Sequence, residues 1–327
     1  MLVVIWWMYG GYAWLTNVVA PDRRAYQLLL LSGMAAFLVI SLAVPDAFGS
    51  SGVAFGVAYV VVVLIHAGLF TRSEGESAAA IFNVARYNLA AGMSIVAAGI
   101  VGGAGRWVLW GLALAVILLP SLRPPDPRFE INASHFVERH GLVVIVALGE
   151  SVVAVGIGAS AHSLTVGLVS VAVLGLALTA CLWWTYFGEG EDERARQAMA
   201  SAPRARRGWL ALNGFYHWHL FLLLGVIALA SALEQAIGHS GEPLSFARSL
   251  ALGGGVALFF VGDALFRRTL SIGELRWRLL AAALALATVP LGPEIAAVAQ
   301  LACLVAFVLA CLLMELRGRS PSPVAVT

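Results

Sequence analysis

Ser134-His-Phe-Val-Glu-Arg-His-Gly-Leu-Val-Val-Ile-Val-Ala-Leu-Gly-Glu-Ser-Val-Val-Ala154 opens with charge and continues as an apolar run long enough to cross a bilayer. Glu150 lies deep inside that run. An ionised carboxylate there costs at least ~2.5–3.5 kcal/mol on insertion scales, so it is expected to face a protein interior, a partner or water. At 100° per residue, His135, Arg139, Val143, Val146 and Glu150 share one narrow helical face. The stretch therefore reads as a membrane-crossing helix that carries a functional group.

Composition agrees. The 327 residues are 61% hydrophobic and 12% charged, with a mean hydropathy of +0.89. Soluble domains carry about 25% charged residues, so this chain could not cover a soluble fold with polar surface. Segments of about 20 apolar residues between polar breaks predict eleven spans: 2–19, 25–44, 52–72, 79–101, 106–122, 135–158, 163–187, 209–236, 249–268, 277–293 and 295–316. Only Gly292-Pro293-Glu294 separates the last two, which predicts a tight hairpin. Small residues four apart, Gly52/Gly56 and Ala154/Gly158, permit close helix contact.

All 20 basic residues are arginine, and their placement sets the orientation. Sixteen fall in the loops after odd-numbered spans or in the tail, while the alternate loops hold only Arg106 and Arg248. The positive-inside rule puts the N-terminus outside and the C-terminus in the cytoplasm of a bacterial inner-membrane, multi-pass protein. Leu2-Val3-Val4-Ile5-Trp6 follows Met1 with no basic n-region, which predicts no cleaved signal peptide. Residues 188–207, with Glu189, Glu191, Asp192, Glu193 and five arginines, read as a solvated cytoplasmic loop. Residues 123–134, with Pro124, Pro125 and Pro127, read as a stiff connector.

The chain also repeats. Trp6-Trp7-Met8-Tyr9 resembles Trp183-Trp184-Thr185-Tyr186; Asp46 and Glu234 each end a long apolar segment; and Leu69-Phe70 resembles Leu265-Phe266. Residues 1–122 then form one helical repeat and 135–316 a second, with 123–134 between them and 317–327 as a cytoplasmic tail. Six helices per repeat, with the first of them absent, gives eleven in an all-α polytopic bundle.

Glu138, Arg139, Gly141, Leu142, Val144, Ile145, Ala147, Leu148, Gly149, Glu150 and Ser151 match an E-R-x-G-L-x-V-I-x-A-L-G-E-S run. In this the chain resembles the low-temperature-requirement A (LtrA) family of bacterial membrane proteins, over essentially its whole length from Trp6 to about Arg317. The resemblance implies a membrane protein linked to growth in the cold. It also implies an acidic, aromatic opening helix of the E-L-F-F-D-L-V-F type before the Trp-Trp helix, which this sequence lacks.

Among the ionisable groups, His66, Arg86 and Asp263 are placed roughly 6–11 Å inside the cytoplasmic boundary at ~1.5 Å per residue. Arg86 and Asp263 are expected to form a structural ion pair or gate, with His66 in the same layer. Glu150 and His219 are expected near mid-membrane, roughly 15–22 Å deep. With His217, Arg139 and Glu138 they form the candidate substrate, ion or proton-relay set, because imidazole titrates near neutral pH. His217 shares a face with Asn213. Cys181, Cys303 and Cys311 lie in apolar runs without ligand spacing. No nucleophile elbow, phosphate loop or metal-ligand pattern is present, so no catalytic residue, metal or cofactor is expected. The basic residues 194–207 could touch anionic lipid, but topology alone explains them. The leading function is a small-solute or ion permease, proton-coupled through Glu150 and histidine. A non-transporting stress-adaptation or scaffold protein is the alternative, and a membrane-embedded enzyme the third. The expected partners are the bilayer and a small solute or ion, with no nucleic acid.

Overall fold

The structure is a computed structural model. It describes all residues except Pro21, 73–76, Pro124, Pro127, Ala161, Gly238 and 319–327, and leaves undescribed the side chains of 77–79 and Glu189. Among the described residues every regular element is helical. The eleven expected spans all fall on helices. They are α1 (Leu2–Val18), α2 (Arg24–Ala43), α3 (Gly52–Phe70), α4 (Ser77–Val101), α5 (Gly103–Ser121), α6 (Ala133–Ala159), α7 (Val166–Phe187), α10 (His219–Ala236), α11 (Phe246–Leu270), α12 (Arg276–Ala287) and α14 (Ala297–Gly318).

Nine described helices are long and apolar enough to cross a membrane. The segments 2–19 and 277–293 fall short of that criterion. Helix α1 has 17 residues and α12 only 12, or about 25 and 18 Å at 1.5 Å per residue. Pro290 cannot continue α12, and the expected hairpin is instead the short helix α13 (Leu291–Glu294), whose Gly292 carbonyl accepts from the Leu244 N–H at 2.9 Å. The segment 188–207, expected as a loop, is largely helical: α8 (Glu191–Ser201) and α9 (Arg204–Leu210) fill it, and a π-helical turn at Ala211–Trp218 leads into α10. Of the expected connector, Pro124 and Pro127 lie outside the described residues, as does the tail beyond Gly318.

The helices gather into two compact units. The first comprises residues 1–136 and 200–212. Its core surrounds α3, whose Phe55, Tyr59, Val62 and Val63 pack with Val4 and Met8 of α1, Ile40 of α2, Ile95 of α4 and Ile117 of α5. Helices α3 and α4 approach closely through glycine. A methyl placed at Gly56 would lie 2.7 Å from the Val96 nitrogen, and one at Gly52 would lie 3.0 Å from the Gly99 Cα. The Gly52/Gly56 spacing is thus a helix contact, as read from the sequence. Leu28, Leu31, Met34, Leu38 and Leu42 of α2 point outward, as a lipid-facing surface would.

The second unit comprises residues 137–199 and 213–327. Here α11 is central, with 67% of its most apolar 18-residue window buried against 17% for α2. Phe259, Phe260 and Val256 of α11 pack with Leu222, Val226 and Leu229 of α10, Leu178 and Leu182 of α7, and Leu304 and Val308 of α14. Ser245 caps α11 by accepting from the Arg248 N–H. At the other end Ser271 takes a left-handed φ of 59° and Gly273 one of 67°. That turn has to be open, because a methyl on Gly273 would meet the Arg267 guanidinium at 2.6 Å.

Candidate functional site

Four helices of the second unit bring charged side chains together at one buried point. Asp263 and Arg267 lie four residues apart on one face of α11, so their side chains meet. Arg278 sits in the first turn of α12, Glu315 in the last turns of α14 and Glu191 at the start of α8. All five are at most 5% exposed. Arg267 Nε lies 3.1 Å from Asp263 Oδ2, and Arg278 Nε 2.8 Å from the same oxygen. Arg278 Nη1 reaches Glu315 Oε2 at 2.7 Å, and Arg267 Nη1 reaches Glu315 Oε1 at 3.2 Å. The four groups close a ring of alternating charge. Arg267 Nη2 extends it to Glu191 at 3.1 Å, where Arg194, about one third exposed, binds the same carboxylate.

Three arginines thus face three carboxylates. Taking charges out of water costs several kcal/mol per ion after relaxation, and only good geometry with opposite charge on both sides offsets it. The ring supplies both, and it ties α8, α11, α12 and α14 to one another.

A second polar group lies beside it. His219, fully buried, follows the π-helical turn, and its Nδ1 is 3.0 Å from the Gly214 carbonyl oxygen. A carbonyl only accepts, so Nδ1 carries the hydrogen and Nε2 accepts from the Tyr186 hydroxyl at 2.8 Å. Phe215 stacks on the imidazole at 5.3 Å between centroids, with the rings of His140 and Phe266 edge-on at 5.5 and 5.0 Å. Tyr186 is in the last turn of α7, and Phe266 adjoins Arg267. Arg278 Nη2 also donates to the Thr185 carbonyl at 3.4 Å. Histidine pair and charge ring therefore form one layer at the arginine-rich end of the unit.

The sequence-predicted residues distribute differently from expectation. Glu150 is exposed on α6, and it is His140 of that helix that meets His219. Ten residues separate His140 from Glu150, about 15 Å along the axis, so Glu150 stands well away from His219. The expected Glu150–His219 relay is corrected accordingly. Glu138 and Arg139 share the exposed side of α6. His217 is 3.4 Å from the Asn213 side-chain oxygen, on the shared face expected.

The Arg86–Asp263 pairing is also corrected. Asp263 is engaged by Arg267 and Arg278 within its own unit, and Arg86 is exposed in the other unit with its guanidinium 5.0 Å from the Tyr87 ring centroid. His66 is a core histidine of the first unit, Nε2 2.9 Å from the Gly11 carbonyl and in ring contact with Tyr12 and Phe70. Sequence reasoning missed Arg267, Arg278, Glu315, Glu191, His140 and Tyr186. Only the Asp263/Arg267 spacing was visible, and both arginines had been read as loop charge.

Among known proteins, Uncharacterized protein RA0937 of Rhizobium meliloti (strain 1021) is 26% identical over 284 residues, which cover 83% of this chain and 68% of that protein. No solved structure matches the chain. The family model Bacterial low temperature requirement A protein (LtrA) matches residues 1–313, essentially the whole chain, and the chain belongs to that family.

Proposed function

We propose that this LtrA-family chain is a small-solute or ion permease of the bacterial cytoplasmic membrane, gated by the buried charge ring. The observation that carries the reading is the ring of Asp263, Arg267, Arg278 and Glu315, buried where α11, α12 and α14 meet. Packing alone does not call for it, since well-packed apolar residues of similar volume often serve as well or better. Ionisable groups at such positions mark ion and proton paths. Each arginine holds two or more carboxylates on different helices, so the ring is a closed gate whose opening requires partners to be exchanged. His219, hydrogen-bonded through one ring nitrogen to Tyr186 and through the other to the Gly214 carbonyl, adds an imidazole whose two nitrogens offer a route for proton coupling.

The same enclosure supports a second reading, a non-transporting scaffold in which the ring only locks four helices. Flux separates the two. Purified protein in proteoliposomes, screened against protons, monovalent cations and small metabolites, is expected to carry one of them. Asp263→Asn at normal abundance is expected to change that rate by about tenfold or more, the scale of one lost charge-assisted hydrogen bond. No flux for any class, or unchanged flux in folded Asp263→Asn, would favour the scaffold.

Orientation follows from the arginine asymmetry, with α8 and α9 in the cytoplasm and residues 239–247 outside. In a background lacking Cys181, Cys303 and Cys311, a cysteine at Ser240 should label from the outside of intact cells and one at Ser201 only after lysis. Outside labelling at Ser201 would reverse the orientation. The repeat reading has support from packing order: α3 is flanked by α2 and α4 in the first unit as α11 is by α10 and α12 in the second.

A further inference from the structure

A short polar helix closes one side of the charge ring. Helix α8 has eleven residues, and its charged sequence, EDERARQAMAS, keeps it out of the hydrocarbon. Glu191, Ala195 and Met199 are its buried residues, at intervals of four, so one narrow face is docked and the rest turns outward. We propose that α8 is a hinged lid that docks on the ring through Glu191 and swings away from it, opening one side of the gate. The part of this movement in permeation rests on the permease reading above; the movement itself does not.

Charge balance makes α8 the detachable part. Asp263, Arg267, Arg278 and Glu315 are two carboxylates and two guanidiniums that close on one another. Helix α8 brings Glu191 Oε1 to Arg267 Nη2 at 3.1 Å, and three residues on it carries Arg194, 3.1 Å from the same oxygen. The ring and the α8 pair are each neutral, so they can part without leaving a net charge on either side. The ion pair that has to break is Arg267 with Glu191, and Glu191 then reaches water beside its own counter-ion. Taking any of the four ring members out is different, because it strands a buried charge.

The chain supplies the pivot. Helix α7 ends at Gly188, whose backbone is extended at φ −63° and ψ 146°, and a 3₁₀ turn over Gly188–Gly190 leads into α8. Gly190 takes a left-handed φ of 72°, and no described atom beyond its chain neighbours lies within 4 Å of where its Cβ would stand. Two glycines in three residues, one of them in open space, let the turn absorb a large backbone rotation. Helix α8 is also supported from within. Its first turn holds Glu191, Asp192 and Glu193, the sign that the helix dipole favours there, and Glu193 binds Arg196 and Gln197.

The test uses the full-length protein with Cys181, Cys303 and Cys311 replaced and a single cysteine at Met199, which is 0% exposed on the docked face. Alkylation by iodoacetamide in neutral detergent reads how often α8 lifts, and Met199 lies two turns from Glu191, away from the charge being changed. Glu191→Gln keeps the side chain's size and removes the charge held by Arg267. It should raise the Met199→Cys rate about tenfold or more, the scale of one charge-assisted hydrogen bond. The four ring residues stay balanced in this variant, so it should fold normally by size exclusion, and Glu191→Ala should act the same way. Glu193→Gln, which alters an exposed pair on the same helix, should leave the rate unchanged. In proteoliposomes flux should rise with the alkylation rate in Glu191→Gln. An alkylation rate equal to wild type in Glu191→Gln overturns the lid, whatever the flux. A raised rate with unchanged flux overturns its part in permeation. A raised rate with no flux of any class in the wild type overturns the permease reading and upholds the lid.

Discussion

Arg267→Met should destabilise the second unit by roughly 3–5 kcal/mol, the range for removing one partner of a buried ion pair. The methionine fills much of the same volume, so the loss is electrostatic rather than a cavity. Arg267 is 1% exposed and touches Asp263, Glu315 and Glu191 at 3.1–3.2 Å. Without it Asp263, Glu315 and Glu191 lose the counter-charge they share, and Arg278 and the partly exposed Arg194 have to serve all three. Arg267→Lys should recover less than half, because one ammonium on a flexible stem cannot span three carboxylates from three helices. Arg196→Met is the control. Arg196 pairs with Glu193 on the exposed side of α8, where water screens the pair, and its loss should leave stability near wild type.

Unfolding in detergent reads all three. A loss below about 1 kcal/mol for Arg267→Met would mean that the ring is solvated in the folded protein, and the gate would have no basis. Replacing the four ring residues together with methionine and leucine gives a further separation. Stability should largely return, as for other apolar replacements of buried ion networks, while flux should not.

How much of this was legible in the sequence differs by level. The helices were, because about 20 apolar residues bounded by arginine have few other readings. Close contact at Gly52/Gly56 was legible as well, since small residues four apart share a face. The facing of α6 was not. In a membrane the lipid side of a helix is as apolar as its core side, so periodicity groups Arg139, Val146 and Glu150 without saying which way they point. The structure turns His140, Val144, Leu148 and Ser151 inward instead. The ring was hidden for another reason. Arg278 and Glu315 lie in the end turns of different helices, where the sequence counts Arg278 as loop charge and gives Glu315 no partner, and only the order in which α11, α12 and α14 pack brings them to Asp263. The π-helical turn that precedes His219 and offers it the Gly214 carbonyl left no trace in the hydrophobic pattern.

Gly225→Leu should prevent the second unit from folding, and Gly225→Ala should cost about 1–3 kcal/mol, the usual penalty for overpacking. A methyl at Gly225 would lie 2.5 Å from the Gly255 carbonyl oxygen and 2.7 Å from the Phe259 nitrogen. One at Gly255 would lie 2.8 Å from the Gly225 carbonyl oxygen. The obstruction is backbone on both sides, so no rotamer change relieves it, and α10 and α11 would have to separate. That movement would break the contacts of Leu222, Val226 and Leu229 with Val256 and Phe259, at the centre of the unit. Gly149 and Gly156 of α6 make the opposite case. Neither has an atom within 4 Å of where a Cβ would stand, so alanine should be tolerated or should gain up to about 1 kcal/mol of helix propensity. Folded yield by size exclusion and the unfolding midpoint would show the contrast. If Gly225→Leu folds as well as Gly149→Ala, the two helices do not meet through their backbones and the charge ring loses the support that holds α11 in register.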